Sequence, residues 1–415
     1  MDSDAYASFV SVDIEESAPL FSIGLVANTQ YADLDDAPCA PGAARPRRYR
    51  QGLEVIKRAN LFWKQQGPLA FVAHLGNVLA DENAPADLLA AAQTYETERA
   101  RGDCATWHTL VGEHDLRCYG RPGAPPAPYG QRRYHSFSPS VGWRVIVLDA
   151  FAVSLAHAEG SDAHAAASRW REEHASKHPA RAQSAAGTSG AGQSGGAQPG
   201  GALGEAQLGW LREQLGELAS RSERAIVLCH LACEVGAFAP RTLLWDYAEA
   251  QAALESAPST AAAWIACADG AHADGAGSYA RDGRGCHHLL LPAAVYSAVN
   301  EDAFGVLRVF GDDLRLQMSG RGPDEATRPE GWPTTLPLPL AQASLSSGGA
   351  VADAWQYVLL LCMMMIHAVA YMPLRLLGPR GGGASEVDER KEEGDTGRAA
   401  APSEEDSLTT PLDAV

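Results

Sequence analysis

The sequence predicts an α/β fold in which several strands end at one polar site. Residues 21–33 begin as an apolar run rich in β-forming residues and end abruptly in polar side chains. That pattern is typical of a buried strand whose carboxyl end opens onto a site. Three later apolar runs, at residues 71–75, 107–111 and 225–229, end in the same way. We therefore expect four strands to deliver amide, carboxylate and imidazole groups to one edge of a sheet.

The segments between these runs alternate between helical and extended patterns. Residues 51–66 have apolar side chains at helical spacing and are expected to cover the sheet between the first two strands. With 415 residues, of which 46% are hydrophobic, the chain can bury the core of one large α/β domain. The other predicted elements are helices at 84–101, 205–218 and 243–254, and strands at 145–148, 286–291, 303–310 and 314–318.

The order of these motifs resembles the calcineurin-like metallophosphoesterases and, within them, the manganese-dependent ADP-ribose/CDP-alcohol diphosphatases. The likeness extends over residues 21–322 and includes framework segments as well as the strand ends. It implies a sandwich of two mixed β-sheets flanked by helices, with the strand ends converging at one edge. The framework segments that carry the resemblance are 47–50, 144–150, 207–211, 245–247 and 303–307.

The strand ends depart from that family's metal-binding motifs. The resemblance implies an Asp at the first strand and a metal-bridging Asp at the second, whereas this chain has Asn28 and Asn77. The family's Gly-His-x-His motif appears only as residues 270–274, where Ala stands at both His positions. The retained His114 implies a general acid on the leaving-group side, a role that suits an imidazole. The metal positions implied by the resemblance are Asn28, Gln30, Asn77, Glu113, His230 and His272.

These substitutions remove negative charge where a two-metal site needs it. Two catalytic ions lie roughly 3.5 to 4 Å apart and generate one hydroxide between them, which requires a bridging carboxylate. A neutral amide can ligate a cation but cannot neutralise it, so Asn28 and Asn77 remove two charges and Glu113 restores one. The expected cofactor is Mn²⁺ or another divalent cation if one is bound, and a site without metal is equally compatible with the pattern.

Two functions remain open at this point. The first is a catalytically impaired or inactive diphosphatase-like domain that binds a nucleotide diphosphate or acts as a scaffold. The alternative is an active phosphohydrolase that cleaves a nucleotide diphosphate linkage with one metal held by Glu113, His230 and His272, and Asp274 is a candidate for a further ligand. In a purely structural interpretation, the histidines are hydrogen-bonded polar residues at strand ends. The net charge of −18 argues against nucleic acid as a partner.

The C-terminal part of the chain predicts a membrane anchor. Residues 354–374 contain no Asp, Glu, Lys or Arg and are long enough to span a bilayer once. The alternative is an apolar helix that docks on the domain. We expect a membrane location with the large domain in the cytosol. The expected division is a disordered N-terminus at 1–20, the phosphoesterase domain at 21–322 with a low-complexity insertion at 179–204, a linker at 323–353, the anchor at 354–374, and a disordered acidic tail at 375–415.

Overall fold

The computed structural model describes most of the predicted domain. His272 and residues 354–374 lie outside the described residues, as does most of the predicted insertion. None of the helices among the described residues is long and apolar enough to cross a membrane. The described residues are 18–37, 45–102, 106–121, 124, 126–127, 133–174, 200–238, 240–268, 275–320 and 334–338.

Strands and helices alternate through the described ranges. The helices are α1 (Tyr49–Gln65), α2 (Leu88–Arg101), α3 (Glu113–Tyr119), α4 (Asp162–His174), α5 (Gly204–Ser220) and α6 (Tyr247–Glu255). The strands are β1 (Phe21–Val26), β2 (Phe71–His74), β3 (Thr106–Thr109), β4 (His135–Ser140), β5 (Trp143–Val147), β6 (Val153–Ser154), β7 (Gly201–Ala202), β8 (Arg224–Leu228), β9 (Ala261–Cys267), β10 (Ser278–Arg281), β11 (His287–Leu291), β12 (Ala303–Val309), β13 (Asp313–Gly320) and β14 (Thr335–Pro337).

Two six-stranded mixed sheets form the domain. The first has the order β14-β13-β12-β1-β2-β3, and the second has the order β10-β11-β9-β8-β5-β4. In the first sheet β1, β2 and β3 are parallel, and β12 runs antiparallel to β1. In the second sheet β5, β8, β9 and β11 are parallel, with β4 and β10 antiparallel at the two edges. The predicted two-sheet architecture is confirmed.

The sheets face each other across an apolar layer. Ile23 and Leu25 of β1 pack in one core cluster with Ile265 of β9 in the other sheet. Because side chains alternate along a strand, Val26 points to the opposite face, where it packs with Trp63 of α1. Strands that are buried on both faces read as near-continuous apolar runs, which explains the sequence pattern. Helices α5 and α6 cover the outer face of the second sheet in the same manner.

Two helices were not expected from the sequence. Helix α3 begins at Glu113, directly after the third strand end, and α4 occupies residues 162–174. The predicted helix at 243–254 begins later, at Tyr247, because the chain first makes a short 3-10 turn at Pro240–Thr242. Residues 201–202 form strand β7, so regular structure resumes before residue 204.

Candidate functional site

The loops that follow β1 and β2 carry the first two predicted positions. Asn28, Gln30 and Asn77 have φ angles of 52°, 41° and 57°, in the left-handed region that few residues other than Gly adopt. Asn tolerates this conformation better than most residues, and such backbone is concentrated at functional sites. The loops are also joined through their backbones, since the Asn28 N–H donates to Gly76 O at 3.1 Å and the Gln30 N–H donates to Asn77 O at 2.9 Å. The two asparagine side chains are therefore brought together.

The orientation of the Asn77 amide is determined by its neighbours. The backbone N–H of His114 donates to Asn77 Oδ1 at 2.9 Å. A backbone N–H can only donate, so the atom that faces it has to be the carbonyl oxygen. The Nδ2 group of Asn77 consequently faces the other way, where it donates to Asn28 Oδ1 at 2.7 Å and lies 3.3 Å from His230 Nε2.

The Asn28 amide is oriented by the same kind of constraint. Its Nδ2 group donates to the backbone oxygen of Ala268 at 2.7 Å, so its Oδ1 faces Asn77. Gln30 lies beside it, with Nε2 3.5 Å from Asn28 Oδ1, and the buried Oε1 of Gln30 has no hydrogen-bond partner among the described residues. The side chains are thus held by one another and by backbone groups.

His230 is held in one tautomer. Its Nδ1 lies 2.6 Å from the Leu75 carbonyl oxygen, to which it can only donate, so Nε2 carries the lone pair. Burial lowers the pKa of His230 to about 4, so the ring is neutral at pH 7. A neutral imidazole with one nitrogen bonded to a carbonyl has the form of a metal ligand. Here the lone pair faces the amide group of Asn77. We call Asn28, Asn77 and His230 the amide site.

His114, the predicted general acid, belongs to a chain of charged groups beside the amide site. Its Nδ1 lies 2.5 Å from Asp81 Oδ1, and Asp81 Oδ2 accepts from Arg117 at 2.8 Å. Burial lowers the pKa of His114, but the hydrogen bond and charge of Asp81 outweigh burial, and the pKa is raised above its ordinary value. Glu113 Oε1 lies 3.7 Å from the other ring nitrogen. The sequence reasoning missed Asp81, whose only signal was a carboxylate four residues after Asn77.

Asp115 is a further residue that the sequence reasoning did not assign to the site. Its buried carboxylate accepts three backbone N–H groups, from Gly112 at 2.9 Å, Asn77 at 2.6 Å and Val78 at 2.8 Å. Burial raises the pKa of Asp115 to about 6, although the hydrogen bonds act in the opposite direction. This carboxylate joins the start of α3 to the loop after β2, and both of its oxygens accept backbone N–H groups.

The structure brings most of the predicted positions to one edge of the two sheets. His272 is the exception because it lies outside the described residues. Two groups of side chains in the described residues have ligand atoms within 4.8 Å of one another: Asp81, Glu82 and His114 beside the amide site, and Asp282, Cys286 and His288 on the second sheet. The predicted residues that meet at this edge are Asn28, Gln30, Asn77, Glu113, His114 and His230.

Known proteins resemble the chain over the whole domain. It is 31% identical over 314 residues to the manganese-dependent ADP-ribose/CDP-alcohol diphosphatase of Oryza sativa subsp. japonica, covering 74% of this chain and 93% of that protein. The Arabidopsis thaliana protein of the same name is 30% identical over 317 residues, covering 72% of this chain and 94% of the relative. No protein-family model matches the chain.

A solved structure supports the same fold. The crystal structure of a dimetal phosphatase from Danio rerio superposes with a TM-score of 0.64 at 24% identity, covering 77% of this chain and 100% of that chain. At this level of identity the likeness concerns the arrangement of strands and helices.

Proposed function

Because this chain belongs to the manganese-dependent ADP-ribose/CDP-alcohol diphosphatase family, we propose that it binds a nucleotide diphosphate but has lost most or all of the two-metal hydrolysis. The observation that carries the proposal is the orientation of the Asn77 amide. Its N–H groups point to Asn28 Oδ1 and toward His230 Nε2. An amide nitrogen has no lone pair to offer a cation, so the residues in place do not fit a pair of metal ions.

The lack of charge at the amide site also disfavours a pair of metal ions. Two dications about 4 Å apart repel each other by about 16 kcal/mol at an effective dielectric of about 20, four times the value for unit charges. The three residues of the amide site are neutral and offset none of this repulsion. Asp115 is occupied by backbone N–H groups, and Asp81 by His114 and Arg117.

The remaining groups favour binding over hydrolysis. The hydrogen bond and charge of Asp81 outweigh burial and raise the pKa of His114, and the protonated ring can donate a charge-assisted hydrogen bond to a phosphate oxygen. A general acid of this kind has little to protonate when no activated nucleophile attacks the phosphorus. We therefore expect a ligand of the class named for the relatives, ADP-ribose or a CDP-alcohol, to bind without being turned over.

The test compares the full chain with the variant that restores both acids, Asn28→Asp with Asn77→Asp. We expect the unmodified chain to hold less than one Mn²⁺ per molecule and to hydrolyse ADP-ribose at least about 100-fold more slowly than the rice relative, which is about 2.7 kcal/mol in the barrier. The double variant should bind Mn²⁺ more tightly. Ala271 and Ala273 limit how far hydrolysis recovers.

A matched control is Asn300→Asp. Asn300 is exposed and also has a positive φ, 64°, so the variant adds a carboxylate on similar backbone away from the site. It should leave Mn²⁺ binding unchanged. Two Mn²⁺ ions per unmodified chain, together with turnover equal to that of the rice relative, would refute the proposal.

The alternative is a one-metal hydrolase, and one observation favours it. Asp81, Glu82 and His114 form a group that could hold a cation. Two arginines offset the two carboxylates of this group, since Asp81 pairs with Arg117 and Glu82 pairs with Arg47 at 2.6 Å, so little negative charge remains to attract a cation. If Mn²⁺-dependent hydrolysis is found and Glu82→Gln abolishes it, this alternative replaces the first proposal.

We also propose that residues 354–374 hold the domain at a membrane. The support is the length and uncharged composition of that segment, which lies outside the described residues. Removing everything after Ala350 should move the protein from the membrane fraction to the soluble fraction. Full-length protein that is soluble and monomeric without detergent would contradict the anchor and favour a docked helix.

A further inference from the structure

A second group of ligand-type side chains lies on the β10–β11 hairpin. Asp282, Cys286 and His288 each present an oxygen, sulfur or nitrogen atom, and these atoms lie within 4.8 Å of one another. We call these three residues the hairpin cluster. Cys286 directly precedes β11 and packs in the core beneath α6, and His288, two residues on, faces the same side of the strand.

The hairpin cluster is separate from the amide site. Strand β11 runs parallel to β9, and Cys286 precedes the first residue of β11. The amide site lies beyond the other end of these strands, where Asn28 donates to Ala268 after the last residue of β9. No residue is shared between the two groups.

The hairpin turn positions the carboxylate of the cluster. Asp282 Oδ1 accepts the backbone N–H groups of Arg284 and Cys286, both at 2.9 Å. Asp282 Oδ2 lies 3.1 Å from His288 Nε2 and accepts from Arg284 Nε at 2.9 Å. The carboxylate, the thiol and the imidazole are therefore placed by the backbone of one short loop.

His288 is the unusual member of the cluster. Its side chain is fully buried, Nε2 contacts the Asp282 carboxylate, and Nδ1 has no hydrogen-bond partner among the described residues. A buried polar atom without a partner is costly and calls for an explanation. In metal sites a histidine commonly bonds a carboxylate through one nitrogen and the metal through the other.

A second carboxylate lies beside the cluster. Glu234 Oε2 is 3.9 Å from His288 Nε2 and accepts a hydrogen bond from Gln251 at 3.0 Å. Arg284 is the one cation among these contacts, and it also pairs with Glu255 at 2.7 Å. With the Cys286 sulfur as a thiolate, the negative groups outnumber Arg284, so a dication would be neutralised.

We propose that the hairpin cluster binds one divalent cation of the zinc class through Cys286 and His288 Nδ1, with the Asp282 carboxylate holding the imidazole through Nε2. Thiolate and imidazole ligands select zinc over manganese, which prefers oxygen ligands. Metal binding releases the thiol proton, so the thiolate forms together with the bound ion. The bound ion fastens the hairpin to the outer core of the second sheet, and the site has no part in hydrolysis.

The test measures zinc in the full chain. Protein expressed in zinc-supplemented medium and freed of loose metal should hold about one zinc ion per chain. Cys286→Ser and His288→Asn should each reduce this at least about tenfold, as loss of a metal ligand predicts. Cys118→Ser is the matched control, because Cys118 is also buried but lies on α3, outside the hairpin cluster. It should keep its zinc, as should His230→Ala, which separates this proposal from the one on the amide site.

A spectroscopic measurement on the unmodified chain tests the proposed metal site even if a variant folds poorly. The unmodified chain loaded with Co²⁺ should show the charge-transfer absorption of a cobalt–thiolate bond, and Cys118→Ser should retain it. Absence of that band from the unmodified chain would overturn the proposal. So would zinc that stays bound when Cys286 and His288 are both replaced, or unmodified protein that takes up no zinc from an excess.

Discussion

The amide site and the hairpin cluster both place histidine next to polar side chains at strand ends, yet they differ in their available lone pairs. In the amide site each side-chain polar atom of Asn28, Asn77 and His230 has a close polar neighbour within the protein. In the hairpin cluster a carboxylate and a thiol have atoms within 4.8 Å of a histidine, and the Nδ1 of that histidine has no partner among the described residues. The buried Oε1 of Gln30, beside the amide site, also lacks a partner among the described residues, so the two sites differ chiefly in the charge of their ligand groups. We infer that charge, more than position in the fold, decides where this chain can hold a cation.

The largest effect on stability is expected for Asp115, whose carboxylate accepts hydrogen bonds from backbone N–H groups. Asp115→Asn replaces an acceptor of three N–H groups by a side chain whose NH₂ group faces one of those donors. The free energy of unfolding should fall by about 2 to 4 kcal/mol, because buried donors lose their partners. Urea denaturation measures this loss.

The control for that measurement is Asp162→Asn, at the exposed start of α4. It should change the free energy of unfolding by less than about 0.5 kcal/mol. If the Asp115 variant is no less stable than this control, the carboxylate is not occupied as the structure indicates. It would then be available to a metal, and the contrast between the two sites would weaken.

The second prediction concerns a substitution that makes the hairpin cluster resemble the amide site. Asp282→Asn exchanges a carboxylate for an amide beside His288, which is the side-chain type that Asn77 presents to His230 in the amide site. Zinc affinity should fall by about 10- to 100-fold, the usual effect of removing a carboxylate that contacts a metal-binding histidine. Competition with a chelator of known affinity measures the change. An unchanged affinity would mean that the carboxylate does not influence the proposed metal.

The third prediction concerns the charged pair that borders the amide site. The raised pKa of His114 stabilises the fold at low pH, and this contribution is lost as pH rises through the folded-state pKa. The pKa of Asp81 is lowered, mainly by His114 and Arg117 acting against burial, and its contribution is lost as pH falls below the unfolded value near 4. The difference in stability between the unmodified chain and Asp81→Asn should therefore be largest near pH 5 to 6.

That difference should be roughly 1 to 2 kcal/mol at its maximum and should shrink toward pH 9. Urea denaturation across the pH range provides the measurement. His230 should act in the opposite direction, since its pKa is lowered to about 4 and the unfolded chain binds the proton more readily. Stability should rise with pH between about 4 and 6.5 for that reason, and His230→Gln should flatten this slope. A pH-independent difference for Asp81→Asn would contradict the charged pair.

The smallest effect on stability is expected for Arg117, the second partner of Asp81. The Arg117 side chain is 35% exposed, so its pair with Asp81 is partly screened by water. Arg117→Ala should cost less than about 1 kcal/mol at pH 7. A larger loss, measured in the same denaturation series, would show that Arg117 and not His114 is the main partner of Asp81.

Much of the fold could be predicted because its signals are local. Strand β1 is buried along all of its length and is followed by polar residues, and both features can be read from the consecutive residues 21–30. Helices α3 and α4 were missed for a related reason. Helix α3 has only seven residues and begins with Glu113 and His114, for which the resemblance implies a metal position and a general acid at a strand end. Helix α4 buries a single residue, Ala167, so it has little apolar periodicity.

The sequence by itself determined that several strands would end at one polar edge and that Asn28 and Asn77 would stand there, because strand patterns and residue types are properties of the chain. The sandwich of two mixed sheets was implied by the resemblance to the family. Only the tertiary structure decided which way those amides face. Asn28 is oriented by Ala268, 240 positions away, and Asn77 by the backbone N–H of His114, 37 positions away. A hydrogen bond depends on the direction of both partners, and folding alone brings such distant groups into contact.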